Sequence, residues 1–195
     1  SIPGDAEGSA MEEILKQTSS SSIESIKDLA EMVSIGHCIE ATKLLMEATF
    51  IHVFGIGLSN GIAFDLAHKM QRIGLICGCY QETQMQLLTA FNLRPGMVGV
   101  VISHSGNTKE MVRAIKVMKE NRVKIISITG NPHGDIALRS DVTLLAPLSE
   151  PLERQGASSS RISQLVLIDM LFSLIIKQKP DIYREIMNCT NKLLN

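Results

Sequence analysis

Hydroxyl side chains gather where two apolar runs give way to helical patterns. One place is Gly55-Ile56-Gly57-Leu58-Ser59; the other is Ser103-His104-Ser105-Gly106-Asn107-Thr108. A strand that turns through Gly or Ser into a helix leaves several backbone N–H groups unpaired at the positive end of the helix dipole, which suits the junction to an anion. Gly55 and Gly57 permit a tight turn and a close backbone approach, and Ser59 falls where a helix cap belongs. In the second run Ser103 ends the strand, Ser105 and Gly106 form the turn, and Thr108 begins the helix. These hydroxyls and the free N–H groups can converge on the oxygens of one phosphate without any Lys or Arg. Each charge-assisted hydrogen bond of this kind contributes roughly 1.5–3 kcal/mol. A serine at a helix start needs no ligand to explain it, but a turn with only capping duties rarely needs both serines and the threonine. Two such junctions in one open sheet point to a phosphorylated, hydroxyl-rich small molecule.

A third polar segment runs from Glu150 to Arg161. Glu153 is a candidate acceptor for sugar hydroxyl protons, or a base. Ser158, with its serine neighbours at 159 and 160, either contacts the ligand or caps the following helix. Arg154 and Arg161 either close over the ligand or face water. His104 alone of the five histidines lies inside a candidate site, and the histidines and cysteines show no metal-ligand spacing. The candidate ligand set is therefore Gly57, Ser59, Ser103, His104, Ser105, Gly106, Asn107, Thr108, Glu153 and Ser158, with neither metal nor cofactor expected. A dinucleotide fingerprint fits poorly. Gly55-x-Gly57 supplies half of it, but Asn60 occupies the place of the third glycine, and Glu82 lies beyond the usual spacing for a ribose-binding acid.

The elements that must position these groups follow from periodicity. Apolar runs predict strands over 50–54, 75–79, 97–103, 123–129 and 142–146. Between them, helical spacing predicts helices over 60–72, 82–92 and 108–121 and a brief turn over 135–139. The strand runs alternate little, as expected when both faces are covered. Strand–helix–strand repetition argues for an α/β fold, a doubly wound sheet of about five parallel strands whose ligands bind outside the carboxyl ends. Ahead of the sheet, a helix over 11–33 is interrupted by the serines at 19–22, and a short helix fits 39–48. After it, a helix over 158–177 is apolar almost all round, which predicts burial on more than one side, in the core or at a subunit interface. A terminal helix follows Pro180.

Composition sets the outer bounds. The 195 residues are 45% hydrophobic and 20% charged, values of a globular domain. A formal net charge of −1 offers no basic footprint for nucleic acid. No apolar run approaches the roughly 20 residues that span a bilayer, and no secretory signal opens the chain, so no membrane partner is expected. The four cysteines show no C-x-x-C pair, consistent with reduced, mostly buried thiols in a cytoplasm. Residues 1–10 lack an initiator Met and have linker composition, fitting either an expression remnant or the tail of a linker.

Taken together, these segments resemble the sugar isomerase (SIS) domain family. The first junction looks like the family's glycine-serine junction, and Ser103-His-Ser-Gly-Asn-Thr108 matches its S-x-S-G-x-T phosphate loop. Within the family the chain is most similar to the effector domain of MurR/RpiR-type transcriptional regulators. The runs that carry this likeness are Asp65-Leu-Ala-His-Lys-Met-Gln-Arg-Ile-Gly74, Ser105-Gly-Asn-Thr-Lys-Glu-Met111 and Ser159-Ser-Arg-Ile-Ser-Gln-Leu-Val-Leu-Ile-Asp169. The resemblance implies a five-stranded Rossmann-like or flavodoxin-like parallel sheet over 11–195, self-association as a dimer or tetramer, and a phosphosugar ligand. It also implies an N-terminal helix-turn-helix domain upstream of this chain, through which alone DNA is bound. Ser59, Ser103, Ser105 and Thr108 carry over as phosphate ligands. The alternative the resemblance offers is an aldose–ketose sugar-phosphate isomerase with Glu153 as base; the histidine that such enzymes place just ahead of the following glycine is Gln155 here.

Overall fold

A computed structural model describes residues 4–147 and 159–194. In chain order it contains α1 (Gly4–Met32), α2 (Ile35–Glu47), β1 (Ile51–Phe54), α3 (Leu58–Arg72), β2 (Cys77–Cys79), α4 (Thr83–Asn92) and β3 (Val98–Ile102). These are followed by α5 (Lys109–Glu120), β4 (Lys124–Thr129), α6 (Asp135–Arg139), β5 (Val142–Leu145), α7 (Ser159–Gln178) and α8 (Pro180–Leu194). The strands form one sheet in the order β2-β1-β3-β4-β5, and every pairing is parallel. This is the doubly wound α/β sheet flanked by helices that the periodicity predicts. The chain leaves β1 toward β2 on one side and returns to β3 on the other, so the topological switch point lies between β1 and β3.

Side chains alternate across the sheet and divide the core in two. Ile51, Val53, Val98, Val100, Ile126, Ile128, Val142 and Leu144 join buried residues of α2, α3 and α7 in one cluster. Phe54, Val101 and Ile125 join Ala90, Met111, Ala114, Ile115 and Met118 of α4 and α5 in the other. On this second face His52 is fully buried. It stands in register with Gly78 on one side and Gly99 on the other. The glycines make room for the imidazole, since a Cβ at Gly78 would lie 3.2 Å from His52 Nδ1.

α7 packs against α1, α2, α3 and α8. Its Leu167, Ile168, Leu171 and Ile175 are buried, and Lys69 of α3 bridges Asp65 and Asp169 to pin α3 to α7. The all-round apolar pattern thus reflects helices of the same chain on several sides.

Three local expectations are corrected. The serine run at 19–22 does not interrupt α1: Thr18 and Ser22 donate back to Ile14 O and Thr18 O at 2.8 and 2.9 Å, so the hydroxyls bond within the helix rather than breaking it. The same helix begins at Gly4 rather than at residue 11. β2 starts at Cys77, two residues late, because Gly74 turns the chain at a φ of 82° and Leu75 N–H still bonds to Met70 O at 3.0 Å. Burial, with Cys79 beside it, pushes the Cys77 thiol up to about 12, so it stays protonated and unreactive.

Candidate anion-binding site

Both hydroxyl-bearing junctions leave the carboxyl ends of strands that pair directly, with Phe54 opposite Val101. They lie side by side at the switch point, each opening a helix. No lysine or arginine falls within either run, although Lys109 follows the second directly, and the backbone N–H groups that open α3 and α5 add positive potential there.

The first junction is held from beneath. Gly55 N–H donates to Gln86 Oε1 at 3.0 Å, and Gly55 O accepts from Gln86 Nε2 at 2.9 Å and from Asn60 Nδ2 at 3.2 Å. Asn60 Nδ2 also donates to Tyr80 O at 2.9 Å, tying the turn to the end of β2. A Cβ on Gly55 would meet the backbone carbonyl oxygen of Ser59 at 2.7 Å, so only glycine fits the closure of the turn over the first residues of α3. The cap of that helix is Gly57, at a φ of 61°, and not Ser59 as expected. A cap outside the helix must break helical geometry, and the glycine does so without Cβ strain. Ser59 is the second residue of α3, half-buried. Its hydroxyl has no hydrogen bond among the described residues.

The second junction carries its hydroxyls at the start of α5. Ser103 is 2% exposed, and its hydroxyl lies 2.9 Å from that of Thr108. Thr108 is the N-cap of α5 by backbone conformation, yet its side chain makes no capping bond. Ser103 and Thr108 therefore keep their hydroxyls together at the mouth of the helix. Ser105 is exposed, and its Oγ accepts Asn107 N–H at 3.3 Å. Gly106 holds a φ of 71°. Asn107 has a structural duty as well: its Oδ1 accepts Asp135 N–H at 3.0 Å, which holds the start of α6. His104 accepts Gly130 N–H at its carbonyl (3.1 Å), and its Nδ1 is buried without a partner among the described residues.

Of the expected ligand set, Gly57, Ser59, Ser103, His104, Ser105, Gly106, Asn107 and Thr108 are on these two neighbouring junctions. Glu153 and Ser158 lie outside the described residues. Glu82 is the exposed N-cap of α4, after β2. Gln86 and Asn131 have no role in the sequence analysis, and Asn60 enters it only in the place of a third glycine. Gln86 carried a signal, being the polar member of an otherwise buried stripe with Ala90 and Leu93 on α4 and beyond. Among the described residues no group of three or more His, Cys, Asp or Glu side chains is placed to hold a metal ion, and no helix is long and apolar enough to cross a membrane.

Residues 44–174 match the SIS domain family. The chain is 38% identical over 155 residues to an HTH-type transcriptional regulator of Caldanaerobacter subterraneus subsp. tengcongensis, covering 79% of this chain and 55% of that protein. It is 32% identical over 164 residues to the HTH-type transcriptional regulator RpiR of Escherichia coli, covering 84% of this chain and 55% of that one. It thus spans about half the length of these relatives. Its fold superimposes on the Vibrio vulnificus NanR protein, solved in complex with ManNAc-6P, with a TM-score of 0.87 at 24% identity, over 93% of this chain and 68% of that one. With the phosphate-loop spacing, the strand order and a family match over most of its length in agreement, the chain belongs to the SIS domain family.

Proposed function

We propose that this chain is the phosphosugar-sensing effector part of an RpiR-type transcriptional regulator. The observation that carries the reading is the pair of hydroxyl-bearing strand-to-helix junctions, 55–59 and 103–108, lying side by side at the switch point. The dianionic phosphate docks on 103–108, with the hydroxyls of Ser103, Ser105 and Thr108 and the N–H groups of α5 as donors, and Ser59 reaches it from the neighbouring junction. The sugar extends toward Glu82, Glu153 and Ser158. Similarity to longer HTH-type regulators, of which the match covers 55%, supports a DNA-reading domain on the same polypeptide, and the ManNAc-6P bound by NanR supports a sugar phosphate as the ligand class.

The protein acts in the cytoplasm as a dimer or tetramer. Exposed apolar side chains on α1 (Met11, Ile14, Leu15) and α3 (Leu58, Phe64) supply contact surface for a second copy. Ligand matters through its differential affinity for two arrangements of that assembly, and a coupling of about 1–3 kcal/mol changes operator affinity usefully.

Calorimetry against a panel of hexose, pentose and amino-sugar phosphates tests the proposal. At least one binds, and Ser105→Ala weakens it roughly 10- to 100-fold, the worth of one charge-assisted hydrogen bond. Silence of the whole panel and of inorganic phosphate, or full affinity in Ser105→Ala, overturns it.

A further inference from the structure

We infer that the segment between β4 and α6 positions the anion loop by drawing its carbonyl groups to one side, with Asn131 as the positioning residue. Four acceptors of the loop lead to residues 130–136. His104 O accepts Gly130 N–H at 3.1 Å, and Gly106 O accepts Ile136 N–H at 3.0 Å. Ser105 O accepts Asn131 Nδ2 at 3.2 Å. Asn107 Oδ1 accepts Asp135 N–H at 3.0 Å. Each peptide is planar, with its N–H opposed to its C=O. Fixing the carbonyls of 104, 105 and 106 therefore also fixes the N–H groups of 105, 106 and 107: Gly106 N–H bonds back to Ser103 O at 3.2 Å and Asn107 N–H to Ser105 Oγ at 3.3 Å, which shapes the turn, and Ser105 N–H is set opposite the held His104 carbonyl.

This orientation decides whether a loop without lysine or arginine attracts an anion or repels it. A turn whose carbonyls rotate toward the ligand presents the negative ends of its dipoles, whereas one whose N–H groups face the ligand forms an anion-binding concavity. The approach of the two segments is tight enough to admit no side chain, since a Cβ on Gly134 would lie 2.7 Å from Gly106 O. Within 130–136, Asn131 is the residue whose side chain reaches the loop. Its Oδ1 meanwhile accepts His133 N–H at 3.0 Å, and its own N–H donates to Thr129 Oγ1 at 3.2 Å. One amide thus shapes its own turn through the oxygen and holds Ser105 through the nitrogen.

The inference rests on the phosphate reading of 103–108, and its test separates the two. The probe is inorganic phosphate, titrated into the full chain and followed by the amide resonances of Ser105, Gly106, Asn107 and Thr108, with thermal midpoints measured alongside. Asn131→Ser keeps a short acceptor for the local turn but does not reach Ser105. Asn131→Asp keeps size and acceptor but sets an oxygen against the Ser105 carbonyl. Both are expected to raise the phosphate dissociation constant roughly three- to tenfold, the worth of one neutral hydrogen bond. Both should also shift the free-state amide resonances of Ser105 and Gly106 while the thermal midpoint moves by only about 2 °C. Unchanged loop resonances and phosphate affinity within a factor of two in both variants, with Ser105→Ala impaired, overturn the positioning role and leave the phosphate site standing. A fall in thermal midpoint with those resonances unmoved overturns it equally. Absence of any phosphate-dependent shift in the unmodified chain overturns the reading beneath it.

Discussion

Gln86→Leu is expected to lower the unfolding free energy by about 2–3 kcal/mol and to abolish sugar-phosphate binding with it. Gln86 is fully buried on α4, and both ends of its amide serve Gly55: Oε1 takes the N–H and Nε2 gives to the carbonyl. Leucine is of similar volume, so no cavity term is added and the loss is one of polar pairing. The carbonyl keeps a second donor in Asn60. The N–H of Gly55 keeps nothing, and an orphaned buried donor carries the larger penalty. The consequence reaches the ligand because Gly55 touches the first turn of α3 at van der Waals limits, the backbone of Ser59 lying 2.7 Å from where a Cβ would be. Any rotation of that peptide therefore moves Ser59. Urea titration gives the stability change, and the thermal midpoint falls by roughly 4–12 °C for a chain of this size. Retention of both stability and phosphosugar affinity in Gln86→Leu would remove the brace from the account.

The contrast between Gln86 and Ser105 shows what a linear reading reveals. Ser105 announces itself because its neighbours in sequence are its neighbours in space: hydroxyls, a glycine and the start of a helical pattern all fall within 103–108. The strands were legible for the same reason, since a short apolar run carries its own signal. Gln86 bonds to a residue 31 positions away and Asn131 to one 26 positions away. Neither partner is visible until the sheet brings β1, β3 and β4 together, so the braces of the site were hidden while its mouth was not. The misplacement of the cap at Ser59 arose from the opposite bias. Serine is a common N-cap, but the chain needed a residue free to take a φ of 61° at the turn, and Gly57 met that need two positions earlier. The serines at 19–22 were misread because helix propensity penalises hydroxyls that compete for the backbone, whereas Thr18 and Ser22 spend theirs on carbonyls of α1 itself. Glu153, on which the isomerase alternative depends, lies outside the described residues.

Acid should weaken this fold in a window set by His52. Both imidazole nitrogens are buried without a partner among the described residues, and the ring is enclosed by Phe54, Tyr80 and Phe50 at centroid distances of 4.5, 5.3 and 6.2 Å. Burial holds its pKa down to about 4, against 6.5 for the exposed group. The folded state therefore stays unprotonated at this site through a range in which the unfolded chain takes up a proton. Where the unfolded state binds more protons, stability rises with pH. The contribution is accordingly complete above about pH 6.5 and is lost as pH falls toward 4. Below that point the folded form protonates as well and the loss levels off. At about 1.4 kcal/mol per pH unit the integrated effect is on the order of 3 kcal/mol.

A second acid-labile group acts lower down. Burial of Asp141 opposes its ionisation, yet Ile125 N–H, Lys124 and Lys119 together hold its carboxyl below the ordinary 3.8. Its stabilisation is present above that value and disappears as pH drops through its folded pKa, so the two windows do not coincide. His52→Leu separates them. An apolar side chain between Gly78 and Gly99 carries no orphaned nitrogen and no proton site, so its urea midpoint should be flat between pH 6.5 and 4.5, where the unmodified chain slopes. Below pH 3.8 both chains should fall together. Equal slopes for the two proteins across pH 6.5 to 4.5 would show that the buried imidazole is not the origin of the acid sensitivity.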